Sequence, residues 1–303
     1  MNVHPPHATR SSYVASHVGA RSGSSARLEH ELDLARDVQE SLFPAEIPAL
    51  PGIHVAALNQ PARIVSGDLY DVIGVDDHRM VVVCADVSGK GFAAALLAAQ
   101  VQSYFRAMVQ AISVVRSALE SASVAVDVFR SLGSLPLQVV RLLNTTACRH
   151  MNLPGRYATL FFAEVDARSG SVHYVNAGHN PPLLLASGVV LELLSAGGPP
   201  VGLLADASYD LGTVTVPAGG TLLMYTDGVT EARDRHDEEF GLPRLIDLCR
   251  SATPDVTLLL ARILEAVGTW SDGLEPADDI TLVAVGREGW PSACGGVAYP
   301  PPE

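Results

Sequence analysis

Residues Met80–Ala85 form an unbroken apolar run, Met-Val-Val-Val-Cys-Ala, which stops on a carboxylate, Asp86. A continuous run of this length fits a strand buried on both faces. Val87-Ser88-Gly89-Lys90-Gly91 follows and is composed to turn. The pattern repeats: Leu-Leu-Met-Tyr-Thr ends on Asp227 and continues Gly-Val-Thr-Glu. Asp68 opens another strand-like stretch within Ser-Gly-Asp-Leu-Tyr-Asp, and Asp278-Asp279 stand before the run Ile-Thr-Leu-Val-Ala-Val. A chain with several doubly buried strands must stack them in layers.

An ionised carboxylate at the end of a buried strand needs compensation. For a single Asp the ordinary answer is a turn or helix cap, because Asp accepts backbone N–H bonds well. That answer explains less well why four strand ends carry the same residue. A divalent-metal site explains the set, since Mg²⁺ and Mn²⁺ prefer hard oxygen donors. No His or Cys stands beside these strand ends, which argues against zinc. Two cations so held would share a water, lower its pKa and favour in-line attack on phosphorus. Glycines close behind Asp86 and Asp227 let the chain turn sharply and approach a ligand.

The other segments give strands at Ile53–Asn59, Asp68–Val75, Ala158–Val165, Val172–Asn176, Leu183–Ala186, Val189–Leu193, Leu211–Val216, Thr221–Tyr225 and Ile280–Val285. Helices are expected over Phe92–Ile112, Leu137–His150, Gly241–Ser251 and Asp255–Val267. Short connections favour largely antiparallel sheets. Ser113–Leu135 has weak periodicity and reads as a surface insertion or a mobile helix. Residues 1–26 and 289–303 read as disordered tails around an N-terminal helix (27–44) and a domain spanning 50–288. In that helix, Arg27–Phe43, a stripe of Leu28, Leu32, Ala35 and Leu42 includes Gln39, and Pro44 stops it. Two to three heptads fit equally a helix packed on its own domain and a homodimer seam through 28–42.

The net charge of −13 and a single lysine, Lys90, make nucleic acid and anionic membrane poor partners. No apolar run reaches the ~18 residues of a membrane span, and no signal core is visible, so the expectation is a cytoplasmic protein. Cys84, Cys148, Cys249 and Cys294 form no C-x-x-C pair and read as reduced thiols.

Six segments, taken in order, resemble the motifs of SpoIIE-type serine phosphatases: Ser-Gly-Asp68-Leu-Tyr-Asp, Asp86-Val-Ser-Gly-Lys-Gly, Asn176-Ala-Gly-His-Asn-Pro-Pro-Leu-Leu, Gly198-Pro-Pro-Val-Gly-Leu-Leu, Tyr-Thr-Asp227-Gly-Val-Thr-Glu-Ala and Asp278-Asp-Ile-Thr-Leu-Val. The resemblance covers about residues 28–286. It implies the metal-dependent (PPM, type 2C) phosphatase fold, an α+β, α-β-β-α sandwich of two largely antiparallel sheets flanked by helices. It also implies two Mn²⁺ or Mg²⁺ ions at one edge. Asp86 would bridge both. Asp227 and Asp278 would complete one metal; Asp68 and the Val87 carbonyl would help hold the other. Asp279 would stand behind these ligands. Ser88 occupies the place where eukaryotic type 2C enzymes often carry a proposed general-acid His, leaving the proton donor unassigned.

The implied substrate is phosphoserine or phosphothreonine on a small protein. In bacteria this is usually a STAS-type anti-anti-sigma factor, which captures an anti-sigma kinase once dephosphorylated. The helix after Lys90 is a candidate for positioning metal ligands under regulation. Arg63 fits either a phosphate clamp or a surface Arg near a strand end. His179, in a turn beside Pro181, fits a backbone-bonded structural His better than a catalytic one. Lys90-Gly91 lacks the rest of a nucleotide-binding loop, and Ser88 stands where a haloacid-dehalogenase site needs a second Asp. The rival readings are a pseudo-phosphatase that binds without turnover and a hydrolase of small phosphate esters.

Overall fold

The apolar runs become strands because both faces of each are covered. This is visible in a computed structural model that describes residues 27, 30–121, 134–150, 156–250 and 255–289. The strands are β1 (Ile53–Gln60), β2 (Asp68–Gly74), β3 (Arg79–Val87), β4 (Ala158–Asp166), β5 (Ser171–Ala177), β6 (Leu183–Ala186), β7 (Val189–Leu193), β8 (Gly197–Gly198), β9 (Gly212–Thr215), β10 (Thr221–Tyr225) and β11 (Ile280–Arg287). The helices are α1 (30–40), α2 (Phe92–Ser121), α3 (Leu135–His150), α4 (Asp227–Thr230), α5 (Gly241–Arg250) and α6 (Val256–Ser271).

One sheet has the order β1-β11-β10-β6-β7, the other β2-β3-β4-β5-β8, with β9 also paired to β5. Every pairing is antiparallel except the two-residue β5–β8 contact. Alternation along β3 shows why its sequence is apolar throughout. Met80, Val82 and Cys84 face the core between the sheets, while Val81, Val83, Ala85 and Val87 face α2 and α3. β10 divides likewise: Leu222 and Met224 turn inward, and Leu223 and Tyr225 turn toward α5 and α6. Three apolar layers therefore separate helix, sheet, sheet and helix, the expected α-β-β-α sandwich. At ~25 cal/mol per Å², these buried Val and Leu side chains contribute about 1.5–3 kcal/mol each against chain entropy.

Several boundaries differ from expectation. α2 runs to Ser121, past Ile112, so of the two readings of Ser113–Leu135, insertion or helix, its start is helix, whereas residues 122–133 lie outside the described part. Beyond Ile112 the helix no longer needs an apolar stripe: Val114 and Val115 are exposed and Arg116 pairs with Glu164 at 3.7 Å. α1 ends at Glu40, three residues before Phe43, and α6 continues to Ser271. The tails at 1–26 and 290–303, and Cys294, also lie outside the described residues. Cys84, Cys148 and Cys249 are free thiols. Among the described residues no helix is long and apolar enough to cross a membrane.

Candidate metal centre

Sandwich topology gathers the aspartates. β2 and β3 are neighbours in one sheet, and their register sets Asp68 directly opposite Asp86. β10 and β11 are neighbours in the other. Asp227 begins α4 immediately after β10, and Asp278 and Asp279 precede β11. All five therefore sit at one edge, where the two sheets face each other.

The sheets are joined there by a buried polar network. The Thr226 hydroxyl donates to Asp68 Oδ2 at 2.7 Å and accepts from the Thr281 N–H at 2.9 Å. Asn59 donates to Thr281 Oγ1 (2.8 Å) and Ser66 Oγ (3.2 Å), and Ser66 Oγ accepts from the Asp68 N–H at 3.0 Å. Thr226 and Thr281 are fully buried, so these bonds meet polar groups that water does not reach. Sequence reading missed them, because a Thr in or beside a strand looks like an ordinary β-former.

The Asp279 carboxylate is engaged by backbone. Its Oδ1 and Oδ2 accept the N–H groups of Ala62 and Gly67, each at 2.7 Å, and so clamp the β1–β2 loop. The Gly67 carbonyl in turn accepts the Val87 N–H at 3.2 Å. Arg63 is exposed on this clamped loop. Gln39 of α1 closes the loop from outside: its Nε2 donates to the Ser66 carbonyl (2.7 Å) and its Oε1 accepts the Ser66 N–H (2.8 Å). A polar residue within the apolar seam of 28–42 was the visible signal. That seam is at least partly taken up by the chain's own domain, while Leu34 and Val38 are exposed.

α2 holds the other side. Gln102 Nε2 and Arg106 Nη2 donate to the Leu42 carbonyl at 2.8 and 2.7 Å, and Arg106 also pairs with buried Asp71 on β2. Phe43 stacks on Tyr70 of the same strand. The helix after Lys90 thus touches the strand that carries Asp68.

Gly228 has a steric reason other than approach to a ligand. A Cβ there would lie 2.0 Å from the Asp279 carbonyl oxygen and 3.3 Å from that of Asp278. Gly228→Ala must displace the Asp278–Asp279 segment. We expect a stability loss of about 2–4 kcal/mol by overpacking and strain, measured by urea denaturation. An unchanged midpoint would contradict the account.

The other candidates are structural in their contacts. Ser88 Oγ accepts the Tyr157 N–H at 3.0 Å, and Arg156 donates to the Ser88 carbonyl at 2.9 Å. Buried His179 meets Thr159 Oγ1 through Nδ1 at 2.9 Å, its ring also faces the Tyr225 backbone, and its backbone N–H donates to Asn176 Oδ1 at 2.7 Å. Burial lowers its pKa to about 4 and keeps it neutral. Lys90 reaches Asp278 Oδ2 and the Ala277 carbonyl, both at 2.7 Å. The chain's one lysine is thus a counter-ion inside the acidic site.

One ammonium does not satisfy the cluster. Burial, then Asp227, Asp278 and Asp279, push Asp86 up to about 7 against the pull of Lys90. Burial, Glu231 and Asp278 push Asp227 up to about 6. Burial and Asp86 raise Asp68 well above the carboxylate range. Hard oxygen donors short of positive charge fit divalent cations chemically. Among the described residues, however, no three His, Cys, Asp or Glu side chains are grouped as a finished metal cage. Asp68 is held by Thr226 and Asp278 by Lys90. A cation that takes Asp278 as ligand competes with Lys90.

The Stage II sporulation protein E (SpoIIE) family matches residues 76–288. The chain is 30% identical over 262 residues to Protein IcfG of Synechocystis sp., covering 85% of this chain and 41% of IcfG. It is 30% identical over 203 residues to the phosphoserine phosphatase RsbP of Bacillus subtilis, covering 67% of this chain and 46% of RsbP. The chain thus spans less than half the length of these two relatives. The structure of the RsbU and RsbW domains of Rv1364c from Mycobacterium tuberculosis is similar at TM-score 0.59 and 25% identity, covering 80% of this chain and 62% of that one. The SiaA-PP2C domain of Pseudomonas aeruginosa shares the fold at TM-score 0.70 and 18% identity, covering 87% and 98%. With the motifs, the sandwich and the family match in agreement, this chain belongs to the SpoIIE family and has the PP2C-type phosphatase fold.

Proposed function

We propose that the chain is a divalent-metal-dependent protein serine/threonine phosphatase. The observation that carries this reading is the convergence of Asp68, Asp86, Asp227, Asp278 and Asp279 on one edge, with Asp86 raised to about 7. Asp86 would serve two Mn²⁺ or Mg²⁺ ions, Asp68 and the Val87 carbonyl one of them, Asp227 and Asp278 the other. Such ions supply acidification of water and neutralisation of phosphate charge. The chain's own part is positioning. Thr226 fixes one oxygen of Asp68, and Asp279 fixes the loop between β1 and β2. Arg63, exposed on that loop, would receive a phosphate oxygen in this reading. No side chain is assigned as proton donor, and the Ser88 hydroxyl oxygen is already bonded to Tyr157.

The substrate of this reading is a phosphorylated STAS-type anti-anti-sigma protein in a sigma-factor pathway. The name of RsbP, a phosphoserine phosphatase, supports the phosphoserine, and the joining of RsbU and RsbW domains in Rv1364c supports a regulatory-protein partner. α1 and α2 grip the strand and loop around Asp68, which gives regulation a route: moving either helix moves a ligand. The exposed Leu34 and Val38 leave α1 a face for homodimer contact within 28–42.

The test is phosphate release from a phosphoserine-bearing STAS protein with Mn²⁺, with chelator, and with Asp86→Ala. Turnover lost in both controls supports the reading. The Lys90–Asp278 pair favours the rival of a non-catalytic binding module. That rival gains if the folded chain neither binds Mn²⁺ nor releases phosphate. Faster hydrolysis of nucleotides than of phosphopeptide would favour the small-ester reading.

A further inference from the structure

A groove of 550 Å³ opens directly beside the acidic cluster, with Asp278 and Gly228 among its lining residues. One wall is α6, through Leu264, Val267 and Gly268; the other is the loop Gly273–Ala277. A larger cavity of 640 Å³, on the Phe240–Trp270 side of α6, includes none of the five aspartates.

Two features separate this groove from an incidental crevice. The first is Gly268. It stands inside a 16-residue helix, where Gly costs about 0.5–1 kcal/mol relative to Ala. Nothing lies within 4 Å of the position a Cβ would take, so packing does not demand the glycine. The helix gives up propensity and leaves its groove wall open. The second is charge. Asp234, Asp237, Glu275 and Asp278 line the groove with one cation, Arg233, which pairs with Asp237 (2.9 Å) and Glu239 (2.6 Å), while Lys90 pairs with Asp278 (2.7 Å). The groove is apolar along α6 and acidic along its rim.

We propose that this groove binds the polypeptide flanking the phosphoserine of the substrate, and that it selects an apolar side chain next to a basic one. The inference rests on the phosphatase reading for the identity of the peptide. The apolar residue would lie against Leu264, Val267 and the open face at Gly268, and the basic residue against Glu275 and Asp237. Continuity with Asp278 would bring such a segment beside the reacting phosphate. The chain's own residues 290–303 contain no Lys or Arg and do not match the rim.

The test compares wild type with Gly268→Trp, which fills the groove, and Gly268→Ala, which should leave it open. Glu275→Lys, an exposed rim change, is the second variant. Binding is read by fluorescence anisotropy in chelator, with two labelled phosphoserine peptides. One carries Leu and Arg on both sides of the phosphoserine; the other carries Leu and Glu. The wild type should bind the Arg peptide at least about tenfold tighter, and Gly268→Trp and Glu275→Lys should each remove most of that preference. In turnover with Mn²⁺, Gly268→Trp should raise KM for the Arg peptide about tenfold and leave p-nitrophenyl phosphate hydrolysis within about twofold. Equal binding of the two peptides by wild type, or unchanged selectivity in both variants, would overturn the proposal. Selective binding lost in the variants, with no turnover of any ester by wild type, would sink the phosphatase reading and leave the groove standing.

Discussion

Asp86→Asn should raise the thermal midpoint of the metal-free protein by about 5–10 °C at pH 7.5 while abolishing phosphatase activity. The folded state lifts the Asp86 pKa to about 7, chiefly by burial and then by Asp227, Asp278 and Asp279. Unfolded, the same carboxyl titrates near ~3.9. Below pH ~4 both states hold the proton and Asp86 adds no pH dependence. Between about 4 and 7 the folded state binds more protons than the unfolded one, so stability falls as pH rises through that window. The amide removes this penalty, which we place at roughly 2–3 kcal/mol after allowing for solvent relaxation. About 2–4 °C per kcal/mol for a domain of this size gives the midpoint shift. Melts of wild type and variant in chelator at pH 4 and pH 7.5 check it. The gap should open at the higher pH and close at the lower one. A variant that melts below wild type at pH 7.5 would contradict the account. Stability of the metal-free fold is here in conflict with the charge that function needs.

Asp279→Ala should cost about 2–4 kcal/mol of stability, since two N–H groups each lose a charged acceptor. Those groups belong to Ala62 and Gly67, and their loop leads directly into Asp68. Phosphate release should fall by about 10²-fold as the loop loses its fixed geometry. Asp279→Asn keeps one acceptor oxygen and should recover part of both losses. Denaturation midpoints and kcat for the three proteins form the measurement. A normal midpoint together with lost metal affinity in Asp279→Ala would instead make Asp279 a ligand. The comparison separates the two roles open to a residue at this position.

The stacked strands and the acids at their ends were legible in the sequence for one physical reason, whereas the four-layer sandwich was implied by the family resemblance. A strand covered on both faces has no polar side, so a carboxylate at its end stands out. β3 and β10 were readable on that basis, and Asp68, Asp86, Asp227 and Asp278 with them. What binds the acids into one site was not readable. Asp279 meets Ala62 and Gly67 across more than two hundred residues of chain, and no local pattern encodes such a bond. Thr226, the link from Asp68 to the opposite sheet, stands in a motif singled out for Asp227, but nothing local marks its bond to Asp68. Gln39 was noticed in its seam, but its partner, the Ser66 backbone, was not. The far end of α2 was lost because an apolar stripe records packing, and the helix outlasts its packing. The groove beside Asp278 is a space between elements, which no local pattern encodes.

The most direct test of the metal centre is a calorimetric titration of Mn²⁺ into the metal-free protein, wild type against Asp86→Asn, with circular dichroism to verify folding. The account predicts saturable binding by wild type and at least about a tenfold weaker affinity for Asp86→Asn, because Asp86 is the carboxylate that interacts with Asp68, Asp227, Asp278 and Asp279 alike. Binding of equal strength by the folded variant would place the metal elsewhere and contradict the reading of these five aspartates as one site.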